Sequence, residues 1–399
     1  MGDVPHKREQ SQTCLSYAER EELRPKGNVP HLRFPEFSGE WEKCKFGDIA
    51  TGFDYGMNAA AKPFDGENKY IRITDIDEAS STYIDKEIVS PDGTLTDNFV
   101  VNDRDILLAR TGASTGKSYL YRKSDGKLYY AGFLIRANVT KHNPYFVFSQ
   151  LHTHRYWSWV SKMSARSGQP GINSQEYSSF PIFITSLREE DKISSLLSLI
   201  DERIATQNKI IEDLKLLKSA IAETLFNNMK GVLTNLSAIC NIVKGQQVNG
   251  DKLSEKGKYY VMNGGITPSG YYDQCNTPPN TISISEGGSC GYVQYNKTSF
   301  WSGGHCYTLQ DITSGVDTLY LFHFLKRYES NIMNLRIGTG LQNIQKKDLE
   351  NFRIILPPSN VQKEISRCLT AIEDKIMVEV KWLDSAQKEK QHLLRQMFI

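Results

Sequence analysis

Apolar residues follow a seven-residue repeat in two stretches of the chain, and the first stretch runs from Ile193 to Leu225. Its apolar positions are separated by alternating steps of four and three residues, and Gln207 and Lys218 fill the two breaks. This spacing is typical of a helix with one narrow apolar seam, which a second helix must cover. The seam positions are Ile193, Leu197, Ile200, Ile204, Ile211, Leu214, Ile221 and Leu225.

The second stretch repeats the first near the end of the chain. Its breaks are filled by Glu379 and Lys390, which follow Gln207 and Lys218 at one constant offset. Two seams with the same phase predict that the two helices pair with each other, and we expect an antiparallel pair. The alternative is two amphipathic helices in the core of an ordinary domain, which usually have a wider apolar face. The second set of seam positions is Ile365, Leu369, Ile372, Ile376, Leu383, Ala386, Leu393 and Met397.

Each predicted helix begins with a capping signature and is long. Ser186 precedes Glu189 by three residues, and Ser359 precedes Gln362 by the same spacing, a pattern that indicates reciprocal capping. About 34 residues at 1.5 Å per residue give a length of roughly 50 Å. An antiparallel pair would therefore form a rod with the rest of each repeat at opposite ends.

The regions before the two helices share one order of elements. Strand-like runs at residues 69–73, 105–109 and 119–121 precede a helical, aromatic stretch at 145–163. Corresponding runs at 259–262 and 281–285 precede a helical stretch at 319–334. A repeat of this length indicates a duplicated domain. The predicted fold class is α+β, with two duplicated mixed α/β domains joined by a long antiparallel two-helix coiled coil.

The predicted organisation has six parts. We expect a polar, flexible N-terminal arm, a first mixed domain, a first coiled-coil helix, a linker, a second mixed domain and a second coiled-coil helix. Their predicted boundaries are 1–30, 31–186, 187–226, 227–234, 235–358 and 359–399.

Composition excludes several classes of protein. The seven cysteines are scattered without a Cys-x-x-Cys pair, which favours a reduced, cytoplasmic protein without a disulfide framework or a zinc site. No apolar run approaches 18 residues, so we expect no membrane span. The first residues lack the apolar core of a signal peptide. The formal net charge of +2 is too small to indicate a nucleic-acid partner by itself.

Catalytic motifs are incomplete. Gly112 to Ser118 resembles a phosphate-binding loop, but Thr111 occupies the position of its first glycine. Gly112-x-Ser114-x-Gly116 and Gly287-x-Ser289-x-Gly291 match the pattern of a nucleophile elbow, which a helix must follow. Strand-like residues follow both copies, so a glycine-rich turn between strands is the favoured interpretation. A serine enzyme that uses Ser114 or Ser289 remains an alternative.

Two further motifs also lack their context. Thr277-Pro278-Pro279-Asn280 differs from the Pro-Pro loop of adenine methyltransferases, which ends in an aromatic residue. His152 and His154 lack the sequence context of a zinc site, and two residues apart on a helix they would point away from each other. We therefore expect no catalytic residue and no metal site.

Basic charge is concentrated in the mixed regions. From Asp103 to Lys141 eight basic and three acidic residues give a net charge of +5, and from Tyr320 to Arg353 the net charge is +3. The helix at 188–226 has a net charge of −2. Positive charge on both domains suits binding to a phosphate backbone, although solvated surface lysines are the alternative.

The candidate DNA-binding residues have side chains that can bond to phosphates or to base edges. They lie in the glycine-rich turns, on basic strands and in the polar tracts before the helices, where Arg, Gln and Asn are suited to base edges. In the first domain they are Arg110, Thr111, Ser114, Thr115, Lys117, Arg136, Arg166, Gln169 and Asn173. In the second domain they are Ser285, Ser289, Gln294, His305, Arg336, Gln342, Asn343 and Lys346.

The duplicated plan resembles that of type I restriction–modification specificity subunits. The segments Ser186–Ile204 and Pro357–Ile376, and the lead-in Val29–Phe37, are similar to segments of that family. The similarity covers the chain from about residue 28 to its end. The main alternative from another class is a non-catalytic scaffold, whose two globules bind protein or glycan on a coiled-coil spacer.

The resemblance implies two target-recognition domains that each read one half of a split double-stranded DNA site. It implies that the helices set the gap between the halves and dock two modification subunits, with restriction subunits added to the complex. It also implies that S-adenosylmethionine, ATP and Mg²⁺ are used by those partner subunits, and that this chain holds no cofactor. The base-reading residues are not carried over by the resemblance, because the family varies most in these domains.

Overall fold

The computed structural model describes residues 27–165, 170–340 and 342–399. Most of the predicted arm at 1–30 and the candidate residues Arg166 and Gln169 lie outside the described residues. The described chain forms two units. The first unit contains the residues up to Thr206 together with Leu383–Ile399, and the second contains Gln207–Trp382.

The first unit is a mixed α/β domain. Its strands are β1 (Glu42–Lys45), β2 (Ala50–Tyr55), β3 (Ala60–Pro63), β4 (Lys69–Ile71), β5 (Val89–Asp92), β6 (Asp105–Ala109), β7 (Ser118–Leu120), β8 (Leu128–Tyr130), β9 (Leu134–Val139) and β10 (Pro181–Ile184). Its helices before the first long helix are α1 (Phe46–Ile49), α2 (Pro144–Gln150), α3 (His154–Ser164) and α4 (Ser174–Ser178). The first long helix, α5 (Leu187–Asn227), has 41 residues.

The second unit has the same kinds of element. Its strands are β11 (Val232–Asn235), β12 (Asn241–Lys244), β13 (Tyr259–Met262), β14 (Tyr271–Tyr272), β15 (Thr281–Ser285), β16 (Val293–Asn296), β17 (Trp301–Ser302), β18 (Cys306–Gln310) and β19 (Arg353–Leu356). Its shorter helices are α6 (Thr318–Arg327), α7 (Glu329–Met333) and α8 (Lys346–Glu350). The second long helix, α9 (Ser359–Met397), has 39 residues.

Sheet topology is repeated in the two units. The first unit contains a four-stranded antiparallel sheet in the order β2-β9-β6-β7, and the second contains β12-β18-β15-β16. Each unit also has an antiparallel pair, β1-β10 or β11-β19, and a parallel pair, β4-β8 or β13-β17. The duplication predicted from the element order is therefore confirmed, and the fold class is mixed α/β with a repeated domain.

The predicted helical stretches are each broken once. The stretch at 145–163 divides into α2 and α3, because the hydroxyl of Thr153 caps α3 by accepting from the amide of Tyr156. The stretch at 319–334 divides into α6 and α7 at Tyr328. In both units the side chain at the N-cap, Asn143 or Asp317, accepts backbone N–H groups of the first turn, as expected for capping residues.

The seam positions of α5 and α9 are all buried or partly buried. Apolar side chains off the seam, such as Leu199 and Leu216, are 62% and 69% exposed. Along the middle of both helices, position in the seven-residue repeat therefore separates covered from exposed side chains, whereas Ala222 and Leu394, which lie off the seam near the helix ends, are also buried.

The two long helices run antiparallel within each unit. In the first unit the buried Ile193 and Leu197 share a cluster with Leu394 and Met397, and Asp201, further along α5, pairs with Lys390, earlier in α9. In the second unit Gln207 donates to the Glu379 carboxylate, while Lys218, further along α5, pairs with Glu373, earlier in α9. The polar breaks of the two seams are thus used in contacts between the helices.

The expected reciprocal cap forms in part at the start of α5 and is wrong at the start of α9, where the amide of Gln362 bonds to the carbonyl of Pro358. The amide of Glu189 bonds to Ser186, but the Glu189 carboxylate accepts from Thr185 and Arg33 instead of returning to the helix end. The Gln362 side chain accepts from the amide of Asp317 and donates to backbone carbonyls. These residues connect each helix start to other segments of its own unit.

Among the described residues no helix combines the length and the apolar character that crossing a bilayer requires.

Candidate nucleic-acid interface

The glycine-rich motifs form turns between antiparallel strands. The first copy connects β6 to β7, and the second connects β15 to β16. Because a strand follows each motif, neither is a phosphate-binding loop or a nucleophile elbow, both of which lead into a helix. The predicted glycine-rich turn is confirmed in both units.

Gly116 and Gly291 occupy matching positions at the ends of these turns. Their φ angles are +93° and +85°, a region that favours glycine. A Cβ atom on Gly116 would lie 2.7 Å from Val160 Cγ1, and one on Gly291 would lie 2.8 Å from the backbone of Met333. Glycine is therefore required where each turn packs against a helix of its unit.

Arg110 and Glu286 lie at the same structural position in the two units. Each follows directly after a central strand, β6 or β15. The carbonyl oxygen of Arg110 accepts from the amide of Ile172 at 2.9 Å, and that of Glu286 accepts from Ile344 at 2.9 Å. The next residues form matching bridges, Thr111 with Gly171 and Gly287 with Asn343. The repeat thus places a cation in one unit where it places a carboxylate in the other.

The Arg110 guanidinium is held over an aromatic ring. Its central carbon lies 4.7 Å from the centre of the Tyr55 ring, within the range of a cation–π contact. One nitrogen lies 3.5 Å from the carbonyl oxygen of Gly132. No carboxylate among the described residues pairs with it. Most of its N–H donors are therefore available to a ligand.

A cleft of about 600 Å³ lies beside Arg110. Its wall includes Tyr55, Asn58, Thr74 and Phe133, and Phe133 is 59% exposed. Exposed aromatic rings beside an arginine with free donors provide both apolar contact and hydrogen bonding to a planar ligand.

The Glu286 carboxylate is buried, with only 8% of the residue exposed. Its Oε1 atom accepts from Lys244 Nζ at 2.6 Å and from the Tyr307 hydroxyl at 2.9 Å. No described residue donates a hydrogen bond to Oε2, which is also buried. The Nδ1 atom of His305 lies 3.8 Å from Oε2, beyond hydrogen-bond distance. One oxygen of this carboxylate is therefore satisfied and the other is not.

The other candidates in the first unit are divided between internal and outer positions. Thr115 is buried, and its hydroxyl donates to the carbonyl of Gly112. The Arg136 guanidinium donates to the carbonyl of Val100 and to the Asp54 carboxylate. The side chain of Asn173 caps α4. These three side chains are used in internal contacts.

Thr111 and Ser114 are partly exposed, and the Nζ atom of Lys117 lies 3.3 Å from the Glu78 carboxylate.

In the second unit four candidates lie close together in the chain and are exposed: Arg336, Gln342, Asn343 and Lys346. Asn343 exchanges two backbone hydrogen bonds with Ile337, which holds this tract as a tight loop beside Gly287. His305 has a side chain that is 62% exposed. Ser285 is buried, whereas Ser289 and Gln294 are partly exposed.

His152 is bonded within the first unit, whereas His154 is exposed at the start of α3. His152 bonds through Nε2 to the Ser81 hydroxyl at 3.0 Å and through Nδ1 to the carbonyl of Phe148 at 2.9 Å. Burial lowers the pKa of His152 to about 4. Within the described part of the chain, no group of three or more potential ligands could hold a metal ion.

Selection by basic charge overlooked Tyr55, Phe133, Lys244 and Glu286. The sequence contained a signal for Glu286. Residues 105–109 match residues 281–285 in the repeat, so Glu286 is at the position that corresponds to Arg110. The ring of Tyr55 lies under Arg110 because strand β2 pairs with strand β9. These strands are distant in the sequence, so no local pattern indicated the contact.

Two repeats of a mixed α/β domain, each with polar side chains at the end of a central strand, define a duplicated binding protein. The family model for the type I restriction modification DNA specificity domain matches residues 38–216 and 232–383. The chain therefore belongs to the type I restriction–modification DNA specificity family.

Relatives from several organisms share this family. A type I specificity subunit of Mycoplasma genitalium is 31% identical over 154 residues, which are 38% of this chain and 40% of that protein. One from Mycoplasma pneumoniae is 33% identical over 154 residues, which are 38% and 41% of the two chains. The matched part spans about two fifths of each of these relatives. A type I restriction enzyme specificity subunit of Methanocaldococcus jannaschii is 26% identical over 295 residues, 65% and 68% of the chains.

The fold is shared with solved structures. The S subunit of a type I restriction–modification system from M. genitalium matches with a TM-score of 0.70 and 17% identity, over 93% of this chain and 99% of that one. A second structure, described as the basis of assembly and conformational transition of a type I system, has a TM-score of 0.52 at 17% identity, over 91% and 98% of the chains.

Proposed function

We propose that this chain is the DNA-recognition subunit of a type I restriction–modification complex. Each of its two mixed domains reads one half of a bipartite double-stranded DNA site. Adenine methylation and ATP-dependent cleavage belong to partner subunits, which use S-adenosylmethionine, ATP and Mg²⁺. This chain contributes recognition and holds no cofactor.

The observation that carries the proposal is the duplicated sheet with different side chains at matching positions. The sheets β2-β9-β6-β7 and β12-β18-β15-β16 have the same order, yet the residue after the third strand is Arg110 in one and Glu286 in the other. Two domains with the same sheet but different polar side chains at one position can recognise two half-sites of different sequence. This follows because donors and acceptors on base edges are read by complementary side chains.

Exposed cations around these positions support a nucleic-acid ligand. Arg336 and Lys346 are exposed beside the loop of Gln342 and Asn343 in the second domain, and Lys117 is partly exposed in the first. Contacts of this kind position a protein on the phosphate backbone, and they make its affinity fall steeply as salt concentration rises. A scaffold for neutral glycan would not show this salt dependence.

The test is to co-express the chain with its modification subunit and map N6-methyladenine across the host genome. We expect one split motif with a gap of fixed length, methylated on both strands. A continuous motif would contradict the reading of two half-sites. The absence of any motif, in a complex that purifies intact, would contradict DNA recognition by this chain.

We propose further that α5 and α9 form an antiparallel coiled coil, which sets the gap and docks the modification subunits. Apolar side chains off the seam support docking on its surface. Ile210 and Leu217, seven residues apart and so on one side of α5, are 38% and 51% exposed. On α9, Met377 and Val380, three residues apart and so on one side of the helix, are 42% and 44% exposed. Exposed apolar side chains grouped on one surface often mark a protein interface.

Replacing both Ile210 and Leu217 by glutamate should prevent stable association with the modification subunit. Two carboxylates in a covered apolar interface lose their hydration, and we expect the affinity to fall at least about a hundredfold. Co-purification and titration calorimetry would measure the loss.

The matched control is the pair Asn208→Glu and Lys215→Glu, which adds two carboxylates, also seven residues apart, at exposed polar positions of α5. It should bind almost normally. Equal weakening by both pairs would indicate a general effect of charge, and normal binding by the first pair would place the docking surface elsewhere.

A further inference from the structure

We propose that Glu286 reads an exocyclic amino group, cytosine N4 or adenine N6, in the half-site bound by the second domain. At the matching position of the first domain, Arg110 reads a base edge that carries acceptors, as guanine does. This inference rests on the proposed function and names the chemistry by which the two half-sites are distinguished.

The first argument is the unsatisfied oxygen of Glu286. The residue is 8% exposed, and no described residue donates to Oε2. Buried polar atoms nearly always have a hydrogen-bond partner, and an exception in a native protein needs an explanation. A donor supplied by a ligand provides one. An amino group on a base edge is such a donor, and a glutamate accepting from cytosine N4 is a recognised pairing.

The second argument is the position of Glu286 in the repeat. The backbone of Glu286 makes the same contact with Ile344 that the backbone of Arg110 makes with Ile172, each at 2.9 Å. The Arg110 side chain is held over Tyr55 with unused donors, beside a cleft that can hold a planar group. If this position contacts a base in one domain, the same scaffold brings Glu286 to a base in the other.

The third argument is access to the carboxylate. Oε2 is covered on one side by His305, a side chain that is 62% exposed and therefore able to move aside at low cost. Gly287 and Gly288 follow Glu286 in the chain, and Cβ atoms on them would lie 3.4 Å from His305 Nδ1 and 2.9 Å from the carbonyl oxygen of Gly264. The imidazole of His305 therefore lies against both Oε2 and Gly287. The proposal requires that a base edge reach Oε2 when this imidazole rotates away.

The fourth argument is charge balance. A bare carboxylate would be repelled by the phosphates of DNA. In this site Lys244 lies 2.6 Å from Oε1 and compensates the charge of Glu286. The pairing with Lys244 and Tyr307 also fixes the orientation of the carboxylate, so Oε2 has a defined direction before any ligand binds.

The test is the substitution Glu286→Gln in the co-expressed complex, read by mapping N6-methyladenine. The glutamine can present an N–H₂ group where the carboxylate presents Oε2. We expect the preference for cytosine or adenine at one position of one half-site to fall by about tenfold or more, with guanine and thymine newly accepted there. The other half-site and the gap should be unchanged.

Two companion variants separate base reading from structural support. Cys290→Ala removes the contact of 2.9 Å between the thiol and the Gln342 carbonyl in the turn after Glu286, and leaves the carboxylate and its donors in place. It should therefore leave the motif unchanged even if stability falls. Arg110→Gln should alter a position in the other half-site only. If Cys290→Ala shifts the motif in the same way as Glu286→Gln, both substitutions act by disturbing the loop, and the inference is overturned.

A measurement on the unmodified protein covers the case in which Glu286→Gln does not fold. The purified complex is titrated with DNA in which single bases of the motif are replaced by analogues without the amino group. One position in the half-site that Arg110→Gln leaves unchanged should lose about tenfold or more in affinity. No loss at any position of that half-site would overturn the inference, whereas a wild-type complex without any split motif would overturn the proposed function itself.

Discussion

Removing residues 208–214 from α5 together with 376–382 from α9 should shorten the gap in the recognised DNA by about three base pairs. Each deletion removes one whole seven-residue repeat, so the seam positions on both sides stay in phase. Seven residues of helix correspond to roughly 10 Å, and one base pair occupies about 3.4 Å along DNA. Both half-sites should be unchanged, because neither deletion reaches β6 or β15.

The two deleted segments face each other in the antiparallel pair, as the contacts of Gln207 with Glu379 and of Lys218 with Glu373 indicate. Mapping N6-methyladenine in cells that express the shortened chain with its modification subunit would give the new gap. Alanine at the exposed positions Asn208 and Lys381 keeps the helices at full length and should keep the original gap. An unchanged gap in the shortened chain would show that the helices do not set it.

Replacing Arg33 by methionine should lower the free energy of unfolding of the first unit by about 3–5 kcal/mol. Arg33 makes two hydrogen bonds of 2.7 Å to the Glu189 carboxylate, whose side chain is 1% exposed. Methionine retains the apolar stem and removes the charge. The cost is large because a buried carboxylate would be left without its cation, although Thr185 and Trp41 still donate to it.

Lys192→Met is the matched control for this prediction. Lys192 pairs with Glu36, so it joins the same two segments, but its side chain and that of Glu36 are 45% and 36% exposed. Exposed pairs contribute about 0–1 kcal/mol, and the control should therefore lose little stability. Urea unfolding of the full-length chain, followed by fluorescence and circular dichroism, would measure both. Equal losses in the two variants would contradict a special role for the buried pair.

The effect of Arg33→Met should depend on pH. Burial by itself would raise the pKa of Glu189, but hydrogen bonds from Arg33 and Thr185 lower it below its ordinary value. A carboxyl group whose folded-state pKa is lowered stabilises the protein above its unfolded pKa, and that stabilisation is lost as the pH falls through the folded pKa. In the variant, burial without Arg33 favours the neutral acid. The difference between wild type and variant should therefore shrink as the pH is lowered from 7 towards 4.

Strands and long helices were predictable because their signals are local. The run at 105–109 is the central strand β6, and the seven-residue repeat indicated both α5 and α9 with ends close to those observed. Alternation and helical periodicity are set by residues a few positions apart, so they can be recognised in a linear sequence. The breaks at Thr153 and Tyr328 were missed, because a single cap interrupts an otherwise helical pattern.

The roles of individual polar residues were less predictable. Arg136 and Asn173 have the chemistry of base-reading residues, yet the structure uses them within the first unit, in contacts with Asp54 and Glu176. Glu286 has the opposite charge from the basic residues that its sequence context favours as DNA contacts, yet it carries a buried oxygen without a hydrogen-bond donor. Whether a polar side chain is used internally depends on partners far away in the chain, and composition does not identify them.

The sequence by itself determined the duplication, the two long helices and the strand-rich character of both domains, because each depends on spacing that repeats along the chain. The tertiary structure decided which side chains remain available to a ligand. It brought Tyr55 under Arg110 and Lys244 beside Glu286 through the pairing of strands distant in sequence. The hydrogen-bonding capacity of a side chain is a local property, whereas its satisfaction is decided only when the fold supplies or withholds a partner.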